Sequence, residues 1–159
     1  MKKLGADVVY DYKDPDCAKK IRDQTSDKLR HAFDTIGEGS APKICADALS
    51  SLGGDYTTLL AIKDFPRDDI KTNRVLAYSA LGEPMKFGAD GREIPGKPED
   101  FEFAAMWMEI VEELLAGGKL KAHSPNVQPH GLNGVLEGLN LLRGGKVSGE
   151  KLVYRIAET

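Results

Sequence analysis

The chain has 159 residues, 41% of them hydrophobic and 30% charged, with a formal net charge of −3. That length carries one ordinary domain with a sizeable core, and the mild acidity argues against a basic groove for nucleic acid or an anionic membrane surface. No apolar stretch approaches the roughly 20 residues that span a bilayer, and the first residues, Met1-Lys2-Lys3-Leu4-Gly5-Ala6-Asp7, lack the apolar region of a signal peptide. The cytosol is therefore the default compartment.

Lys2 to Tyr12 reads as the tail of a helix running into a buried strand, with Val8-Val9-Tyr10 as its β-branched and aromatic run. Asp14-Pro15-Asp16 predicts a helix start: Asp14 as N-cap, Pro15 at the first helical position, Asp16 favourable to the dipole. That helix carries Ala18 and Ile21 toward the core and ends near Thr25. Leu29 to Ile36 is predicted as a strand, and Gly37-Glu38-Gly39-Ser40 turns the chain into a helix from about Ala41 to Ser51. Leu52-Gly53-Gly54 closes it with residues able to take the left-handed conformation. Tyr56 to Ile62 and Val75 to Leu81 are the next two predicted strands. Strands and helices alternating at these lengths predict βαβ units and a doubly wound, Rossmann-type parallel sheet.

Residues 82–98 hold four Gly and three Pro, which predicts a long mobile loop. Glu99 to Ala116 follows with Phe103, Trp107, Ile110, Val111 and Leu114 on one helical face. Lys119 to Ala122 is expected as an extended edge segment. Leu132, Val135, Leu136, Leu139 and Leu142 trace a second amphipathic helix, Gly144-Gly145 stops it, and Lys151 to Ile156 forms a final strand.

Cys17 and Cys45 are too few and too isolated for a disulfide framework or a four-ligand zinc site, and read as small buried thiols in helices. His31, His123 and His130 have no metal-ligand spacing with them, so no zinc is expected. Gly37-Glu38-Gly39 after a strand invites a dinucleotide fingerprint, but the third glycine position is Pro42 and no acidic residue ends a following strand at the usual distance. Asp34, Lys63 and His123 are available polar groups with nothing to mark one as a catalytic acid.

The assembled pattern resembles the C-terminal part of the medium-chain dehydrogenase/reductases. Leu4-Gly5-Ala6-Asp7 before a strand, Phe33-Asp34-Thr35-Ile36-Gly37 ending one, and Gly53-Gly54-Asp55-Tyr56 opening another are its landmarks. Val9-Tyr10-Asp11-Tyr12-Lys13-Asp14-Pro15, Leu139-Asn140-Leu141-Leu142-Arg143 and Gly145-Lys146-Val147-Ser148-Gly149-Glu150-Lys151-Leu152-Val153-Tyr154 are similar to the fungal zinc-independent oxidoreductases that include the trans-acting enoyl reductases of polyketide synthases. The resemblance implies an NADPH-dependent oxidoreductase acting on a small-molecule or carrier-bound acyl substrate with an activated double bond. It implies a polyketide synthase as partner.

The same resemblance assigns cofactor contacts at the carboxyl ends of the strands, where doubly wound sheets bind ligands. Tyr12 matches the aromatic residue along the adenosine part, and Leu59 and Leu60 match a pair beside the nicotinamide. Ser79-Ala80-Leu81-Gly82-Glu83 matches the loop receiving the carboxamide, and Ser148 and Gly149 a late turn closing on the cofactor. Residue type alone leaves other readings open: Tyr12 as a half-buried strand-end tyrosine, Leu59 and Leu60 as core of any parallel sheet, Ser148-Gly149 as an ordinary turn. It implies a division into 1–118, from the dinucleotide-binding domain, and 119–159, a return segment of a substrate domain.

Against that family, the chain lacks the substrate domain, the first two strands and the glycine-rich turn, and so is expected to be truncated. The predicted first strand is then an edge strand separated from the next by two absent ones, and it re-pairs, hangs loose or is completed by another chain. Weak NADPH binding at most is expected without the helix N-terminus that anchors a pyrophosphate. A non-catalytic remnant or interaction module, pairing through exposed strand edges, is the alternative function.

Overall fold

The computed structural model describes residue 2, residues 5–88 and residues 91–157. Lys3 and Leu4 of the predicted N-terminal helix tail, and 89–90 of the predicted loop, lie outside the described residues. The chain forms two compact units, Met1–Ser79 and Ala80–Thr159. The division expected at 118/119 falls inside the second.

In the first unit β1 (His31–Asp34), β2 (Gly54–Thr58) and β3 (Ile70–Arg74) form a parallel sheet in that order. Helices α1 (Cys17–Gln24) and α2 (Ala41–Ala48) accompany it. The parallel α/β architecture read from the sequence is thus present. Leu49, Tyr56 and Ile70 are its buried centre, with Leu29, Ala32, Cys45, Ile62 and Phe65 packed around them. The Tyr56 and Phe65 rings meet at a centroid distance of 4.4 Å, tilted by 33°, a favourable offset for two aromatic quadrupoles. Arg67 fastens the end of α2, donating from its guanidinium to the carbonyls of Ala46, Leu49 and Ser50 at 2.8–3.1 Å. Ala46 is one of the orphan acceptors that a helix C-terminus leaves behind, Leu49 is the C-cap, and Ser50 follows it.

Several boundaries differ from expectation. Val8-Val9-Tyr10 forms no strand, and Val8 and Val9 are exposed. A parallel strand exists only beside a partner that takes its backbone bonds, and no described strand pairs with this run. Helix α1 starts at Cys17 rather than at Pro15. The Asp14 carboxylate instead accepts the Asp16 N–H at 2.9 Å, and the Cys17 N–H goes to the Asp14 carbonyl, so Asp14 closes a turn ahead of the helix. Strand β2 stops at Thr58, which leaves Leu59 to Ile62 beyond it. The strand after β2 is Ile70–Arg74, and the apolar run Val75 to Leu81 predicted for it forms a 3-10 turn at Ala77–Leu81. As an edge strand, β3 needs only Ile70 buried and its backbone paired to β2, so hydrophobicity did not mark it.

In the second unit, β4 (Met85–Phe87) and β5 (Arg92–Ile94) form an antiparallel hairpin where a loop was expected. Helix α3 (Pro98–Ala116) matches its prediction within one residue, with Pro98 at its start and Glu99 and Asp100 in the first turn. Its predicted core face is unburied: Phe103, Trp107 and Ile110 are exposed. Strand β6 (Pro125–Gln128) pairs in parallel with β7 (Lys151–Tyr154). The extended segment therefore begins at Pro125, not Lys119, since proline is tolerated as the first residue of a strand.

A 3-10 turn at Gly131–Gly134 leads into α4 (Val135–Arg143). Here the predicted face is inverted. Leu132, Leu136, Leu139 and Leu142 are exposed, whereas Gly134 and Gly138 are buried. The Tyr154 side chain of β7 lies against the two glycines: a Cβ on Gly138 would come within 1.9 Å of its hydroxyl, and one on Gly134 within 2.4 Å of the Pro129 carbonyl.

Candidate functional site

The carboxyl ends of β1 and β2 are tied together through one buried carboxylate. Asp34, the last residue of β1, is only 5% exposed. Its Oδ1 accepts the backbone N–H groups of Ile36 and Gly37, each at 2.9 Å. Its Oδ2 accepts the hydroxyl of Tyr56, at 2.7 Å, from the neighbouring strand. Burial, and then the bond to Asp34, push the Tyr56 phenol above its ordinary range, so it stays a donor at neutral pH.

The turn so formed sets Gly37 directly against the exit of β2. Gly37 has φ +68°, and a Cβ there would lie 2.8 Å from Thr58 Oγ1 and 2.9 Å from Leu60 Cβ. Only glycine meets both demands. The Leu59 N–H reaches the Asp34 carbonyl at 3.4 Å, and the Leu60 N–H the Thr58 hydroxyl at 3.2 Å. Leu59 and Leu60 are thereby held just past the carboxyl end of the central strand, 39% and 45% exposed. They are an apolar surface on fixed backbone and not core. An open cleft of about 210 Å³ adjoins Leu60, lined also by Thr58, Lys63, Phe65 and Arg74 among others.

Tyr12 opens on a different cleft of about 470 Å³, shared with Lys13, Ser40, Lys43 and Ile44. Its ring is 67% exposed, with the Lys13 ammonium 5.9 Å from the centroid. Ser79 closes the first unit inside the 3-10 turn, its N–H on the Leu76 carbonyl at 3.0 Å. Ala80, Leu81, Gly82 and Glu83 open the second unit, where Gly82 packs on Phe101. Ser148 and Gly149 are exposed residues of the turn before β7. The first unit therefore brings Leu59 and Leu60 together with Gly37, while Tyr12 faces a separate recess. Asp34 and Tyr56, which organise that edge, carried no role in the sequence reading. The available signal was an aspartate two residues before an amide it can cap and three before a glycine.

For a nicotinamide cofactor, the fit of the residues present is favourable at one end. A flat ring needs an apolar wall and a backbone that approaches closely, and Leu59, Leu60 and Gly37 supply both. Among the described residues no cluster of three or more His, Cys, Asp or Glu could hold a metal ion, and no helix is long and apolar enough to cross a membrane.

No protein-family model matches the sequence. The trans-enoyl reductase ACTTS2 of Alternaria alternata is 46% identical over 156 residues, covering 98% of this chain and 44% of that protein. The chain is a relative of the trans-enoyl reductases. The trans-enoyl reductase apdC of Emericella nidulans is 35% identical over 159 residues, covering 99% of this chain and 47% of its own length. The chain thus spans less than half the length of these curated relatives, and corresponds to a C-terminal-like part of a medium-chain enoyl reductase, as the motifs implied. Among solved structures, the JamJ enoyl reductase in its apo form superimposes with a TM-score of 0.65 at 14% identity, over 95% of this chain and 42% of that one. The CurF cyclopropanase enoyl reductase of curacin A biosynthesis gives the same score at 19% identity. At these identities the likeness speaks for the fold alone.

Proposed function

We propose that this trans-enoyl reductase relative serves NADPH-dependent reduction of activated double bonds on polyketide-type, carrier-bound acyl substrates, with a polyketide synthase as partner. What carries the reading is the clamped edge of β1 and β2, where Leu59 and Leu60 stand exposed on fixed backbone, in a chain 46% identical to a trans-enoyl reductase. When bound, NADPH supplies the hydride that adds to the β-carbon of an α,β-unsaturated thioester. The chain's own residues do the positioning. Within the first unit Leu59 and Leu60 wall one face of the nicotinamide and Tyr12 lies along the adenosine; the resemblance also assigns cofactor contacts to Ser79 to Glu83 and to Ser148 and Gly149. In this reading residues 1–118 serve cofactor binding and 119–159 belong with the substrate side. The reaction then rests on orientation and exclusion of water, not on a marked acid.

A hybrid tests this: the Alternaria relative with its matching region replaced by residues 1–159. The hybrid should oxidise NADPH only when an enoyl thioester is supplied. A folded hybrid that leaves NADPH untouched with saturating thioester contradicts the proposal.

One observation favours a second reading. Among the described residues no strand pairs with the outer edge of β1, and Val8 and Val9 of the predicted first strand are exposed. An unpaired strand edge is a template for another chain. On that reading the chain is a non-catalytic module, and it would restore no turnover in the hybrid.

A further inference from the structure

We infer that Asp34 and Tyr56 are positioning residues for the nicotinamide end of the site, acting through the turn at Ile36-Gly37 rather than by touching the ligand. This rests on the cofactor reading above and names what holds that edge in shape. The observation is a buried carboxylate with all its bonds directed at one task. Asp34 Oδ1 holds the Ile36 and Gly37 amides at 2.9 Å, and Oδ2 is held at 2.7 Å by the hydroxyl of Tyr56, itself fully buried.

The direction of the coupling follows from sterics. Gly37 sits so close to Thr58 and Leu60 that no Cβ fits between them. Displacing the turn therefore moves the two residues that set the Leu60 side chain. The Leu59 N–H also takes the Asp34 carbonyl as acceptor, at 3.4 Å, so backbone and side chain of one residue govern both leucines. A buried polar network of this kind is stable only when fully satisfied, so removing one member loosens the turn and not merely one bond. Tyr56 stays anchored without its hydroxyl, because its ring packs on Phe65 and lies in the core with Leu49 and Ile70.

The test is an NMR titration of the full chain with NADPH and, in parallel, with 2′,5′-ADP, which carries the adenosine half and no nicotinamide. NADPH should shift the Gly37, Leu59 and Leu60 signals of the unsubstituted chain. Tyr56→Phe should fold, weaken NADPH binding about tenfold, the effect of losing one buried bond to a charged acceptor, and leave 2′,5′-ADP binding unchanged. Asp34→Asn keeps an oxygen for the two amides and an NH₂ for the Tyr56 oxygen, so it should bind close to the unsubstituted chain. Asp34→Ala should lose NADPH binding while retaining 2′,5′-ADP. If Tyr56→Phe and Asp34→Ala fold and bind NADPH as tightly as the unsubstituted chain, the positioning role is overturned and the cofactor reading stands. A parallel loss of both ligands also overturns it, since it marks a general loss of structure. If the unsubstituted chain shows no NADPH shift at Leu59 and Leu60, the cofactor reading fails and takes this inference with it.

Discussion

The single residue whose environment is most restrictive is Gly37. It combines a left-handed φ of +68° with hypothetical Cβ contacts of 2.8 and 2.9 Å to Thr58 and Leu60. Gly37→Ala should cost about 2–4 kcal/mol, from the left-handed penalty and overpacking together, seen as a lower urea midpoint. An unchanged midpoint means that the turn relaxes freely. A pH dependence arises one layer below. Burial, with a smaller contribution from Asp34, pushes the Cys45 thiol from its ordinary 9.0 to about 11. The unfolded thiol releases its proton first, so the folded state holds more protons between those values and stability falls as pH rises through them. The raised Tyr56 phenol acts in the same direction. The urea midpoint should drop between about pH 9 and about pH 11, and drop less in Cys45→Ala. At this scale the sequence was informative about residue type and silent about partners. Cys17 was correctly read as a buried thiol, whereas Asp34 looked like any polar group, because a carboxylate's role is set by the amides that fold around it.

Elements were legible where a periodic pattern ran long. The long apolar period over Glu99 to Ala116 located α3 to within one residue, and the structure adds Pro98 at its start with Glu99 and Asp100 in the first turn. Shorter patterns misled. Val75 to Leu81 is apolar enough for a strand, yet the ladder belongs to the polar Ile70–Arg74, which is chosen by backbone pairing to β2. In α4 the leucine period pointed to one face, while close approach to Tyr154 buried the glycine face. Two substitutions test this level. Arg67→Met keeps the aliphatic stem but removes the donors to the carbonyls of Ala46, Leu49 and Ser50. It should cost roughly 1–3 kcal/mol in chemical denaturation, and no loss would mean that water caps α2 equally well. Gly134→Ala forces a Cβ within 2.4 Å of the Pro129 carbonyl. It should destabilise the second unit by about 1–3 kcal/mol, with amide exchange faster in α4 and β7 and unaltered in β1 to β3.

For the whole molecule, the alternation of strands and helices predicted a parallel sheet, and the order of the motifs resembled that of the enoyl reductases. Site assembly was less legible. The residues assigned by resemblance fall in both compact units, and within the first unit Tyr12 and Leu60 belong to separate recesses. Spacing along a chain says which residues end strands, but not which recess each one enters. We propose that this chain holds the nicotinamide end of a hydride-transferring site. The most direct test is to run the hybrid reductase on an enoyl thioester with NADPH deuterated at either C4 position. Deuterium from one of the two labels, and not the other, should appear at the β-carbon of the product, because a fixed apolar wall presents one face of the ring. Label from neither, or from both equally, would contradict it.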